Sequence, residues 1–158
     1  MQTVVSNTSP LIILAKTSSL YLLKNVFDKI IIPKTVYDEI VEKNDTASFE
    51  IKQADFIVVV ETEKNETLEY LYLILDKGEA EAITLAKQLN TVLIIDEKKG
   101  RKLARNFGLN VIGFLGILLI NYRKNFISES KVLHILEQTE EFGYRLSENL
   151  KEEFLSNL

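Results

Sequence analysis

The chain has 158 residues, 46 % hydrophobic and 27 % charged, with a formal net charge of −4. That is long enough for one well-filled core and too apolar for a disordered chain. Cysteine is absent and histidine occurs once, at His134. Disulfides, thiol catalysis and metal sites built from thiolates or several imidazoles are therefore excluded. Any metal would have to be a hard ion held by oxygen, Mg²⁺ or Mn²⁺ above others.

Strand-like sequence begins at Thr3-Val4-Val5 with no basic and apolar leader ahead of it, so no secretory signal is expected. The longest apolar run, 111–120, contains two glycines and falls well short of the roughly 20 residues of a spanning helix. A cytoplasmic protein is expected. Its acidic balance offers no general attraction to nucleic acid, so any such role must rest on a local patch.

Short β-branched runs occur at 3–6, 29–32, 56–60 and 91–95, with a shorter fifth at 110–112. They are continuously apolar rather than alternating, the pattern of strands buried on both faces. Helix-like stretches lie between them. Right-handed crossovers then give a parallel sheet of four to five strands in a three-layer α/β/α sandwich. Pro33 is expected to open a helix at 34–43, where its missing N–H costs nothing. Gly78 is expected to separate a helix at 65–76 from another at 78–89. From Phe114 onward the chain reads as successive helices, with Ser128 and Ser147 as N-caps. The whole is read as one domain, a core to about residue 124 followed by C-terminal helices over 125–158.

Ligands of open parallel sheets bind beyond the carboxyl ends of the strands. Ser6-Asn7-Thr8-Ser9 and Asp96-Glu97 place polar residues there. Asp96 follows an uncharged run, so it stands at the mouth of the sheet or else caps the helix that begins at Glu97. Glu79 shares a helical stripe with Ala82, Ile83 and Ala86, the inward face, whereas Glu81 lies on the flank. An inward carboxylate needs an offsetting charge, and a metal ion is one such partner; the plainer reading is a first-turn residue complementing the helix dipole. On helix 34–43, Asp38 and Glu39 flank the apolar face almost equally, and geometry does not choose between them. Lys98, Arg101, Lys102 and Arg105 form one stripe beside Asp96, suited either to RNA phosphates or simply to water. His134, within Val132–Leu136, reads as structural.

In chain order these segments resemble the motifs of PIN domains. Val4-Val5-Ser6-Asn7-Thr8-Ser9-Pro10 resembles the opening strand and its Asp-Thr-Ser end. Val36-Tyr37-Asp38-Glu39-Ile40 resembles the second motif, Gly78-Glu79-Ala80-Glu81-Ala82-Ile83 the third, and Leu93-Ile94-Ile95-Asp96-Glu97 the fourth. Val111-Ile112-Gly113 and Gly143-Tyr144-Arg145-Leu146-Ser147 are similar to the tail of a prokaryotic subgroup. The resemblance implies an endoribonuclease that cleaves single-stranded RNA with Mg²⁺ or Mn²⁺. It implies Glu39, Glu79 and Asp96 as catalytic metal ligands with Asn7 completing the shell, and Thr8, Ser9 and Glu97 as accessories. It further implies a VapC-like toxin, dimeric and silenced by a small cognate antitoxin. The departure is Asn7, an amide where the commonest pattern has aspartate. The alternative reading is accordingly a catalytically weakened domain that binds RNA or protein.

Overall fold

The computed structural model describes residues 2–158. Five strands, β1 (Gln2–Ser6), β2 (Phe27–Pro33), β3 (Ile57–Val60), β4 (Val92–Ile94) and β5 (Val111–Ile112), form one parallel sheet in the order β3-β2-β1-β4-β5. The chain moves outward from β1 through β2 to β3, then returns to the other side of β1 for β4 and β5. The strand order thus reverses at β1 and β4, where Val4 pairs with Val92 and Ser6 with Ile94. This switch point is where a ligand crevice opens in such sheets.

Both faces of the sheet are covered, as the unbroken apolar strands require. Val4 and Val5 are each fully buried, but in different cores, because successive side chains of a strand point to opposite faces. Val4, Ile30, Ile32 and Ile94 pack under α1 (Thr8–Lys16), α2 (Lys34–Glu42) and α3 (Thr46–Gln53). Val5, Leu93 and Ile95 pack under α4 (Glu66–Tyr72), α5 (Lys77–Leu89) and α6 (Lys98–Asn106). The later helices, α7 (Phe114–Arg123), α8 (Glu129–Glu141) and α9 (Glu148–Ser156), join the first core through Phe114, Ile117, Val132, Ile135 and Phe154. The C-terminal helices are therefore continuous with the domain core.

Ser128 and Ser147 cap α8 and α9, accepting from the backbone N–H of Lys131 and Leu150. One expectation is corrected. Gly78 does not separate α4 from α5: it lies inside the first turn of α5, whose N-cap is Asp76, accepting from the Glu79 N–H at 2.8 Å. The break between the helices falls at 73–76. Glycine at position 78 lets the Glu39 carboxylate approach closely, since a Cβ there would sit 3.1 Å from Glu39 Oε1. Helix α3, capped by Asp45, falls in a stretch to which the sequence analysis assigned no element. Among the described residues no helix is long and apolar enough to cross a membrane.

Candidate active site

At the carboxyl end of β1 the backbone N–H of Asn7 donates to the Ile94 carbonyl at 2.9 Å. The ladder between β1 and β4 thereby runs one residue past the strand and fixes Asn7 at the switch point. Asn7 is the N-cap of α1, yet its side chain makes no capping bond. It is only 4 % exposed, and its amide is not among the fully buried polar groups left without a partner.

Thr8, in the first turn of α1, donates from Oγ1 to Glu39 Oε2 at 2.9 Å. That bond and the close approach of Oε1 to Gly78 settle what helical geometry left open: Glu39 turns to the crevice. Its neighbour Asp38 turns away, into an exposed pair with Lys34 at 2.8 Å. Glu79, on the turn of α5 that starts beside Gly78, is half-buried. Its carboxyl pKa is pushed up to about 7, first by burial and then by the nearby carboxylates of Asp76, Glu97 and Glu39. Glu97 is also the cap of α6, accepting from Lys99 and Gly100. The reading that Asp96 caps this helix is thus corrected by one residue.

Asp96 is tied to different partners. Its Oδ1 accepts from the Phe114 N–H at the start of α7 at 2.9 Å, and its Oδ2 accepts from the Tyr144 hydroxyl. Burial pushes its pKa up, while Tyr144, the Phe114 N–H and Arg101 pull it down. The Tyr144 hydroxyl is raised by burial and by the Asp96 carboxylate. Both Asp96 oxygens are thus engaged by the segments that open α7 and precede α9.

A divalent metal ion is what the donor types invite. Among the described residues, however, no group of three or more acidic or histidine side chains stands ready to hold one. The residues fit a hard cation by chemistry: an amide oxygen not committed to capping its helix, and carboxylates whose mutual repulsion a positive ion would relieve. Both oxygens of Asp96 already accept a hydrogen bond, so a cation would either share them with Phe114 and Tyr144 or displace one of those donors.

The inward-facing residue of α5 also needs correcting. Glu81, read as a flank residue, is 7 % exposed and more buried than Glu79. Helix α5 is covered on most sides, with residues 80–86 all buried, so no narrow stripe defines its interior. Glu81 is satisfied by Thr35 Oγ1 at 2.8 Å and lies beside the Tyr72 hydroxyl, which burial and this carboxylate push up to about 12.

The basic stripe divides. Arg101 is half-buried and donates to the Ile95 carbonyl at 3.0 Å; burial, then Arg105, lowers its pKa. Lys98 and Arg105 line a cleft with Asp96, whereas Lys102 is exposed and lies outside that cleft. Ser9 is exposed and borders a small hollow with Tyr144. His134 is not a core residue: it is exposed, in a cavity of about 690 Å³ between α8 and α9 that none of the proposed ligands reaches.

Sequence reasoning missed Asp76 and Tyr144. Asp76 was findable, because an aspartate three residues before Glu79 is a helix cap by position. Tyr144 was not, because no periodicity couples it to a residue so far back in the chain.

A PIN-domain family model matches residues 3–158. Two solved structures are similar to the chain. One is a PilT N-terminus domain protein from the hyperthermophilic archaeon Sulfolobus solfataricus P2, 20 % identical, covering 77 % of this chain and 94 % of that one with a TM-score of 0.47. The other is a domain of a functionally unknown protein from Methanocaldococcus jannaschii DSM 2661, 19 % identical, covering 72 % and 91 % with a TM-score of 0.46. Comparison with curated proteins gave no match.

Proposed function

The chain belongs to the PIN-domain family, whose members are in general nucleases, and on that premise we propose that it is a metal-dependent endoribonuclease acting on single-stranded RNA. The observation that carries the reading is Thr8, which fastens Glu39 to the crevice at the switch point, beside Asn7, 4 % exposed and free of any capping bond. Asn7, Glu39, Glu79 and Asp96 would hold Mg²⁺ or Mn²⁺. Such an ion would supply a more acidic bound water and charge stabilisation for the phosphate under in-line attack.

The chain's own residues supply the rest. Thr8 orients Glu39. Glu79, its pKa pushed up to about 7, would release its proton to solvent as a cation takes its place. Lys98 and Arg105 neutralise backbone phosphates next to Asp96. Products with 5′-phosphate and 3′-hydroxyl ends are expected. The family resemblance favours a toxin role, with a small antitoxin and a second copy of the chain as partners.

The test is cleavage of single-stranded RNA by purified protein in Mn²⁺, set against a Glu79→Gln/Asp96→Asn double variant. Loss of cleavage in the variant supports the reading; RNA left equally intact by both proteins would falsify it. The amide at Asn7 favours one rival, a binding module with weakened catalysis. Asn7→Asp separates the two: a large rise in Mn²⁺ affinity and cleavage identifies a weakened native site, and little change means that the amide serves.

A further inference from the structure

We propose that the cleft between α6 and the 144–150 segment is a subsite for the nucleotide that flanks the cut, binding its phosphate and its base together. The proposal rests on the ribonuclease reading and extends it beyond the basic helix to a second wall. The cleft measures about 610 Å³ and begins at Asp96, a volume within the roughly 300–1,000 Å³ usual for ligand sites.

Its rim carries Lys98, Arg101, Arg105 and Arg145, four cations against the single carboxylate of Asp96. In a chain of net charge −4 this is a local reversal of sign. Arg101 is occupied by the Ile95 carbonyl, but Lys98, Arg105 and Arg145 are exposed, and none of them is in the ion pairs found among the described residues. The floor is apolar, from Val111, Ile112, Leu115, Leu146 and Leu150. Glycine at positions 113 and 116 keeps it low: a Cβ at Gly113 would run into Asp96 and Arg101, and one at Gly116 into Ile112. Leu150 stays 46 % exposed, leaving apolar surface with nothing upon it.

Cations above an apolar floor suit a ligand that alternates anion and flat apolar ring, as single-stranded RNA does. Arginine guanidinium groups pair with phosphate and stack on bases. An amphipathic helix would need a longer apolar track, with anchors one and two turns apart. The contiguity with Asp96 puts the subsite next to the proposed scissile phosphate.

The test is fluorescence anisotropy with a short labelled oligouridylate in EDTA, so that no cleavage intervenes. Arg105→Glu/Arg145→Glu is expected to weaken binding by on the order of tenfold or more and to reduce the slope of log affinity against log salt by about 1.4, at about 0.7 per phosphate contact. Lys29→Glu/Lys52→Glu, at exposed positions of β2 and α3 outside the cleft, controls for the equal change in net charge, and far-ultraviolet circular dichroism checks the fold. Leu150→Ser should weaken binding while leaving the salt slope unchanged. Arg145→Glu should cost more than Lys102→Glu. The proposal is overturned by equal losses at Arg145 and Lys102, by no loss in the double variant, or by an acidic peptide that binds the cleft in place of the RNA. Cleavage in Mn²⁺ is read separately. Binding that behaves as expected without cleavage sinks the ribonuclease reading and keeps the subsite; cleavage with variant-insensitive binding does the reverse.

Discussion

The Tyr144 hydroxyl donates to Asp96 Oδ2, and so a residue near α9 holds a carboxylate that the proposed function gives to a metal. The ring of Tyr144 is seated edge-on against Phe114, with centroids 5.6 Å apart. The Phe114 N–H takes the other oxygen of Asp96. One carboxylate thus ties together the end of β4, the start of α7 and the segment before α9.

Tyr144→Phe keeps the ring contact and removes the donor. Without metal the variant should lose about 1.5–3 kcal/mol of stability, the range for a hydrogen bond to a charged group. With Oδ2 released, stabilisation by Mn²⁺ in thermal denaturation should exceed that of the native chain. An equal or smaller Mn²⁺ response would show that Tyr144 does not compete for Asp96.

Stability of the metal-free protein should rise on acidification from pH 8 toward pH 5. Glu79 has a folded pKa of about 7 against an ordinary 4.5, so between these values the folded state binds more protons than the unfolded one. Stability therefore falls as pH rises through that window. Glu79 is partly solvated, and screening limits the effect to about 1 kcal/mol. Urea titrations of native protein and Glu79→Gln across this range decide the matter, since the variant should lack the slope.

Gly113→Ala should destabilise by about 1–3 kcal/mol through overpacking. Its Cβ would lie 2.5 Å from Asp96 Oδ1 and 2.6 Å from Arg101 Nη1. Both neighbours are pinned, Asp96 by Phe114 and Tyr144 and Arg101 by the Ile95 carbonyl. Denaturant midpoints measure this; a neutral result would mean that both side chains can retreat freely.

Glu81 and Glu79 should separate by response. Glu81→Ala leaves the Thr35 hydroxyl without its acceptor and opens a gap in a buried layer, costing about 1–3 kcal/mol with the Mn²⁺ response retained. Glu79→Gln should keep stability and lose that response. Differential scanning calorimetry with and without Mn²⁺ distinguishes them.

The sheet was legible because strands buried on both faces are written as β-branched runs, and all five runs became strands at nearly the expected places. The inner side of α5 was not. Its helix is enclosed by the sheet, α2, α4 and α6, so hydrophobic periodicity carries little directional information. Position 39 was undecidable from the helix alone and became decidable through two neighbours from other elements, Thr8 and Gly78. The orientation of Asp96 depends on a hydroxyl that reaches it from far along the chain, and local patterns hold no record of such a partner.

Because Val4 pairs with Val92 on one side and Ile30 on the other, the middle of the sheet closes only after more than half of the polypeptide has been made. A shortened product stopping ahead of Val92 would still contain Asn7, Glu39 and Glu79, but β1 would face water with an open row of amides and carbonyls. Such an edge is a template for intermolecular pairing. Truncated products should therefore precipitate or be captured by chaperones, never persisting as small working nucleases.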